Sequence, residues 1–122
     1  HDELELLNTD KVEHYILGNK IDYIIHTANI GGARTDLNKR DIVYSNLKMF
    51  FNIVRNEQYV EKIIYFGSGA EFDKSRELIN ISEKDFDKNV PADDYGFYKY
   101  VCSKYILERN KQDKIKYNIK II

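Results

Sequence analysis

Ser68, Tyr95 and Lys99 are the side chains in this sequence best suited to moving a proton while a cofactor carries a hydride. In Tyr95-Gly96-Phe97-Tyr98-Lys99 a phenol and an amine stand four residues apart. If a helix begins there, both side chains lie on one face, one turn apart. A phenol ordinarily titrates near pH ~10, so using one as a base near neutrality calls for a drop of roughly 3 pH units, about 4 kcal/mol. A fixed cation and the positive end of a helix both favour the phenolate. A serine hydroxyl can hold the substrate oxygen, and the trio then suits proton transfer at a sugar or alcohol hydroxyl.

Spacing alone does not select this pair. With ten tyrosines in the chain, Tyr-x-x-x-Lys also occurs at Tyr44/Lys48 and Tyr100/Lys104. The choice falls to the elements that carry them. Asn8 or Thr9 caps a helix over 10–18, with Asp10 and Glu13 in its acidic first turn, Val12, Tyr15 and Ile16 as its apolar stripe and Gly18 as its stop. Residues 22–28 form a short β-branched run of the kind that fills a buried parallel strand, ending at Asn29-Ile30-Gly31-Gly32, where backbone can approach a ligand. Over 37–57 the apolar positions Ile42, Val43, Leu47, Phe50, Phe51 and Val54 recur at helical steps. A second strand spans 62–67 and runs into Gly67-Ser68-Gly69, and residues 73–94 form a long polar connection. A helix over 95–111, with Tyr98, Val101, Cys102, Tyr105 and Ile106 inward, leads to a last strand over 116–122.

This alternation predicts right-handed crossovers and a parallel sheet covered on both faces, within one domain spanning 1–122. Ligands of such sheets gather at the carboxyl ends of the strands. Ser68 leaves a strand there and Tyr95 opens the next helix near that edge, whereas Tyr44/Lys48 lies mid-helix and Tyr100/Lys104 lies deeper along its own helix. Topology therefore selects Tyr95 and Lys99.

The composition fits a soluble globular domain: 43% hydrophobic, 32% charged, net charge −1. Mixed charges give no footprint for nucleic acid or an anionic membrane. No apolar run approaches the ~20 residues of a membrane span, and the expected location is cytoplasmic. Cys102, the single cysteine, excludes an internal disulfide or a cysteine-based zinc site and reads as a small buried hydrophobe. No metal site is expected. His26 reads as a buried, hydrogen-bonded structural histidine, Asp93-Asp94 as the acidic start of a helix, and Glu71 as an acid that could face substrate.

Ser68 followed by Pro91 and Tyr95-x-x-x-Lys99 resembles the extended short-chain dehydrogenase/reductase family, the NAD-dependent epimerase/dehydratase group. Glu3-Leu4-Glu5-Leu6-Leu7, Asp22 to Ala28, Gly31-Gly32, Asn46 and Gly67-Ser68 bring it nearest the GDP-fucose synthase branch. The resemblance implies a Rossmann-like, doubly wound three-layer αβα fold and a nucleotide-sugar substrate. It implies Tyr95 as acid/base, Lys99 as the cation favouring its phenolate and holding the nicotinamide ribose of NAD or NADP, and Ser68 on the reacting oxygen. It also places Thr27, Ala28 and Asn29 along the cofactor, and Glu5 and Leu6 near its adenine. Helices matching 37–57 and 95–111 commonly pair across a two-fold axis in that family, so a homodimer is expected.

The sequence departs from the family pattern at two points. The Gly-x-x-Gly-x-x-Gly loop of the first strand is absent from these 122 residues, so the chain resembles an internal part of the Rossmann domain. Ala70 stands where GDP-fucose synthases carry a cysteine, and the Thr-Asp-Glu signature of sugar dehydratases is replaced by Ser68-Gly69-Ala70. A simple reductase or epimerase fits best. The alternative is a non-catalytic α/β module with an idle inherited site, acting as a binding or interaction domain.

Overall fold

The computed structural model describes residues 4–31, 41–75, 77–112 and 117–120. Helix and strand alternate: α1 (Thr9–Asn19), β1 (Tyr23–His26), α2 (Ile42–Val54), β2 (Lys62–Phe66), α3 (Asp94–Lys111) and β3 (Tyr117–Lys120). Short 3-10 turns occupy Glu57–Tyr59, Gly69–Glu71 and Glu83–Asp85. The strands pair in parallel in the order β1-β2-β3. Ile24 sits beside Ile63 and His26 beside Tyr65, so Thr27 and Gly67 leave the sheet at the same edge. This is the parallel α/β sheet that the alternation predicts, and it fits the Rossmann-like fold that the resemblance implies.

Local chemistry sets the helix ends. Asn8, rather than Thr9, caps α1 by accepting the Lys11 N–H at 2.9 Å. Gly18 does not stop this helix; it runs on to Asn19, and Lys20 takes the left-handed conformation that closes it. Asp93 caps α3 by accepting the Gly96 N–H at 2.8 Å, and Asp94 lies in the first turn where the helix dipole favours a negative charge. Helix α2 ends at Val54, short of the expected 57, because the chain tightens into the 3-10 turn that follows. The expected start at 37, Gly32 and the outer ends of the strand over 116–122 lie outside the described residues.

One core joins all three helices to β2. Val12 and Ile16 from α1, Phe50, Ile53 and Val54 from α2, and Tyr98, Cys102 and Ile106 from α3 pack with Ile63 and Tyr65. Phe50 is the hub: its ring meets Phe51, Tyr65 and Tyr105 edge-on at 5.2, 5.3 and 5.8 Å between ring centres. Two inward positions on α3 differ from the periodicity. Val101 and Tyr105 are half-buried, while Lys99 and Ser103 are buried in the helix face that meets β2. For Lys99 the reason is chemical: the carboxyl end of β2 offers the Phe66 carbonyl as a partner that an apolar side chain would not use.

The described residues supply one helical layer of the three-layer arrangement expected. Tyr23 and Ile25, on the opposite face of β1, are 58% and 62% exposed.

Candidate active site

The turn after β2 is built from within. Ser68 caps the 3-10 turn Gly69–Glu71, its Oγ accepting the Ala70 N–H at 3.2 Å. Its own N–H donates to Glu71 Oε1 at 2.8 Å. This reciprocal capping fixes the serine backbone and leaves its hydroxyl proton free of that contact. Ser68 itself is half-buried at the end of the strand.

Helix α3 meets this turn at its first residues. A Cβ on Gly96 would lie 2.5 Å from the Ala70 carbonyl oxygen, 2.8 Å from Asp93 Oδ1 and 2.9 Å from Pro91 Cβ. Only a residue without a side chain lets the helix N-terminus come this close. Tyr95, just before it, is half-buried and sets its ring edge-on to Tyr98, 5.3 Å between centres. One turn on, Lys99 is buried and donates from Nζ to the Phe66 carbonyl oxygen at 2.8 Å, two residues before Ser68. Its ammonium also sits 4.7 Å from the centre of the Tyr65 ring, a cation–π contact. Burial pushes Lys99 below the usual lysine range, while Cys102 and Glu71 push it back up.

The competing pairs face elsewhere. Tyr100 and Lys104 both bind Asp87, and the Tyr100 ring packs on Phe86, 5.5 Å between centres. That pair ties the polar connection to the flank of α3. Tyr44 is 63% exposed, with Lys48 Nζ 5.7 Å from its ring centre, and forms part of the outer surface of α2. Tyr95 and Lys99 are thus the pair at the Ser68 edge.

The segments expected along a cofactor are held by two buried asparagines of α2. Asn46 grips the loop after β1 from both sides: its Oδ1 accepts the Ile30 N–H and its Nδ2 donates to the Ile30 carbonyl, each at 2.8 Å. Asn52 donates to the Leu6 carbonyl at 2.9 Å and accepts from the Thr9 hydroxyl at 2.8 Å. Glu5, Leu6, Ala28, Asn29 and Met49 consequently share one cavity of about 190 Å³. Thr27 lies beside it, in an apolar groove that also includes Leu6 and Ala28. Gly31 has φ +82, and a Cβ there would come within 2.9 Å of Ile42 Cδ1, so it serves helix packing as well as the turn.

Two further expectations meet their structural outcome here. Glu71 does not face an open cleft; it is completely buried beneath Ser68, because its carboxylate satisfies the turn's backbone. Cys102 is buried, and that burial pushes its thiol up to about 12. Among the described residues no cluster of His, Cys, Asp or Glu could hold a metal ion.

His26 is buried among Phe50 and Tyr65, with ring centres 6.4 and 5.8 Å away. Burial first, and the Lys99 charge second, lower it to about 4. Between about pH 4 and the ordinary ~6.5 the unfolded chain binds a proton that the folded chain refuses, so stability falls as pH is lowered through that window. The full shift corresponds to about 3 kcal/mol, and above ~6.5 it contributes nothing. Urea midpoints at pH 7 and 4.5 check this: His26→Gln should lose less stability on acidification than wild type, and an equal loss would refute it.

The whole chain, residues 1–122, matches the model of the NAD dependent epimerase/dehydratase family. No curated protein matches it. Among solved structures it is similar to a GDP-6-OMe-4-keto-L-xylo-heptose reductase from C. jejuni, with 22% identity and a TM-score of 0.87 over 98% of this chain and 36% of that one. A GDP-L-fucose synthetase from Naegleria fowleri bound to NADP shows 19% identity and a TM-score of 0.74, covering 99% and 39% of the two chains. The UDP-glucose 4-epimerase of Thermus thermophilus in complex with NAD shows 18% identity and 0.79, covering 95% and 38%. The chain thus spans well under half the length of each of these proteins. At such identities the likeness is one of fold. Within the described residues no helix is long and apolar enough to cross a membrane.

Proposed function

Since the chain belongs to the NAD dependent epimerase/dehydratase family, we propose that it is part of an NAD(P)-dependent nucleotide-sugar reductase or epimerase that works through Ser68, Tyr95 and Lys99. The observation that carries this reading is the approach of α3 to the Ser68 turn at Gly96, which brings Tyr95 and Lys99 to the edge where β2 ends.

The residues present fit a nicotinamide cofactor. The cavity bounded by Leu6, Ala28 and Met49 is an apolar slot with the acidic Glu5 at its rim, suited to a flat base and a ribose hydroxyl. Phe66 O takes one of the three Lys99 protons, leaving others for ribose hydroxyls. When bound, the cofactor would supply the hydride acceptor or donor. The chain's own groups handle the oxygen: Ser68 donates a hydrogen bond to the sugar hydroxyl or carbonyl, and Tyr95 takes or gives its proton. Lys99, one helical turn on from Tyr95, supplies the cation of the site and is held in place by Phe66 O and the Tyr65 ring. The substrate is a nucleotide sugar, the assembly a homodimer.

The test uses the intact protein that contains these residues, with reduced and oxidised NAD and NADP and a panel of GDP-, UDP- and dTDP-linked sugars and 4-keto sugars. Cofactor oxidation or sugar epimerisation by wild type, lost in Ser68→Ala, supports the reading. No turnover with any member, or turnover unaffected in Ser68→Ala, refutes it.

The 122-residue stretch by itself is expected to bind neither NAD+ nor NADPH tightly. Rossmann affinity leans on backbone N–H groups of the glycine loop gripping the pyrophosphate, and these residues contain no such loop. Several charge-assisted hydrogen bonds at roughly 1.5–3 kcal/mol each amount to several powers of ten. Calorimetry is the measurement, and micromolar binding would contradict the expectation.

A further inference from the structure

Glu71 is the most deeply buried acid described in the molecule, with no exposed surface, and it lies directly under the candidate site. Its Oε1 accepts the Ser68 N–H at 2.8 Å, while Oε2 has no hydrogen-bond partner. From α3, Lys99, Cys102 and Ser103 bear on it; from β2, Tyr65 does. Lys99 is the cation in this set. A carboxyl placed so does two things at once: it fixes the serine backbone, and it sets the charge that the lysine feels. An aliphatic side chain would fill the same space without either effect, and leave the Ser68 N–H unpaired.

We propose that Glu71 is a positioning residue of the Ser68–Tyr95–Lys99 site, holding the Ser68 backbone through Oε1 and stabilising Lys99 as an ammonium through its own negative charge. This rests on the functional reading above. Burial is the largest influence and pushes the Glu71 carboxyl above the usual carboxylate range, while the Ser68 N–H and Lys99 oppose it and favour the carboxylate. Glu71 in turn raises Lys99 against the opposing effect of burial. The Glu71 and Lys99 charges therefore act on each other, and His26, packed against the Tyr65 ring, also senses the Lys99 charge.

Two substitutions separate the two roles. Glu71→Gln keeps an oxygen for the Ser68 N–H but removes the charge, so plateau turnover should stay within a few-fold of wild type. Its alkaline limb should move to lower pH by about half a unit or more, because Lys99 has lost the group that holds its proton. Glu71→Leu removes both, and turnover should fall further, by roughly tenfold or more beyond Glu71→Gln, as a buried N–H is left unpaired. If Tyr95→Phe and Lys99→Met leave turnover intact, the assignment of the site itself fails. If those variants abolish turnover while Glu71→Gln keeps the wild-type pH profile, only the role given to Glu71 falls. A second measurement does not need a Glu71 variant to fold: the carbon-13 titration of the Glu71 carboxyl should move to higher pH in Lys99→Met than in wild type. An unmoved titration overturns the coupling.

Discussion

Tyr95→Phe should lower the turnover of the intact enzyme by roughly 10²–10⁴-fold, the range set by loss of a positioned general acid or base. It should do so with little change in stability. The ring keeps its edge-on contact with Tyr98, and the lost hydroxyl takes part in none of the buried hydrogen bonds that hold the turn after β2. Tyr100→Phe is the matched control. Its hydroxyl binds Asp87 on the flank of α3, so its loss should loosen a surface contact and leave turnover near wild type. Steady-state kinetics of the two variants, with urea unfolding of each, decide the matter. Equal turnover for Tyr95→Phe and wild type, or a collapse of turnover confined to Tyr100→Phe, would move the reaction off the residues assigned to it.

The second large effect concerns a residue with no functional group. Gly96→Ala should cost about 1–3 kcal/mol of stability, the range for forcing atoms into a filled space. It should also push the Ser68 turn away from α3, because the new methyl meets a backbone carbonyl at 2.5 Å rather than a side chain able to swing aside. Turnover should therefore fall by an order of magnitude or more in protein that is still folded, with Gly96→Val worse on both counts. Gly69→Ala is the contrast: nothing lies within 4 Å of a Cβ there, so the same added methyl should change little. The outcome that would overturn this account is a Gly96→Ala protein with wild-type stability and kinetics.

Much of this architecture is legible in the sequence because it depends on short-range rules. The β-branched runs at 22–28 and 62–67 could hardly be helices at that length, and a helix between each pair of strands leaves a parallel sheet as the simple arrangement. Asp93 and Asp94 announce the start of α3 by their chemistry, and that start, together with the strand end at Phe66, is enough to choose Tyr95/Lys99 over its two rivals. What periodicity does not show is the polar face of α3. Lys99 and Ser103 sit at positions that a hydrophobic count assigns to the surface or to chance. Lys99 is buried because Phe66 O and the Tyr65 ring wait for it on another element, and Ser103 follows it one turn on along the same buried face. Glu71 escapes the sequence for a related reason: an acid three residues past Ser68 reads as one that could face substrate until the backbone that it caps is in view. Lys20 ends α1 in place of Gly18 because a left-handed closing residue is favoured in glycine but not restricted to it.

The grip of Asn46 on Ile30 and of Asn52 on Leu6 has a thermodynamic consequence. Loops that meet ligands commonly lose conformational freedom at the moment of binding, and that loss subtracts from affinity. Here the two segments beside the cavity are already fastened to the middle of a core helix, so much of their ordering cost falls at folding. A flat ring entering between Leu6 and Ala28, as proposed for the cofactor, would meet preorganised walls, leaving more of its contact energy to appear as affinity.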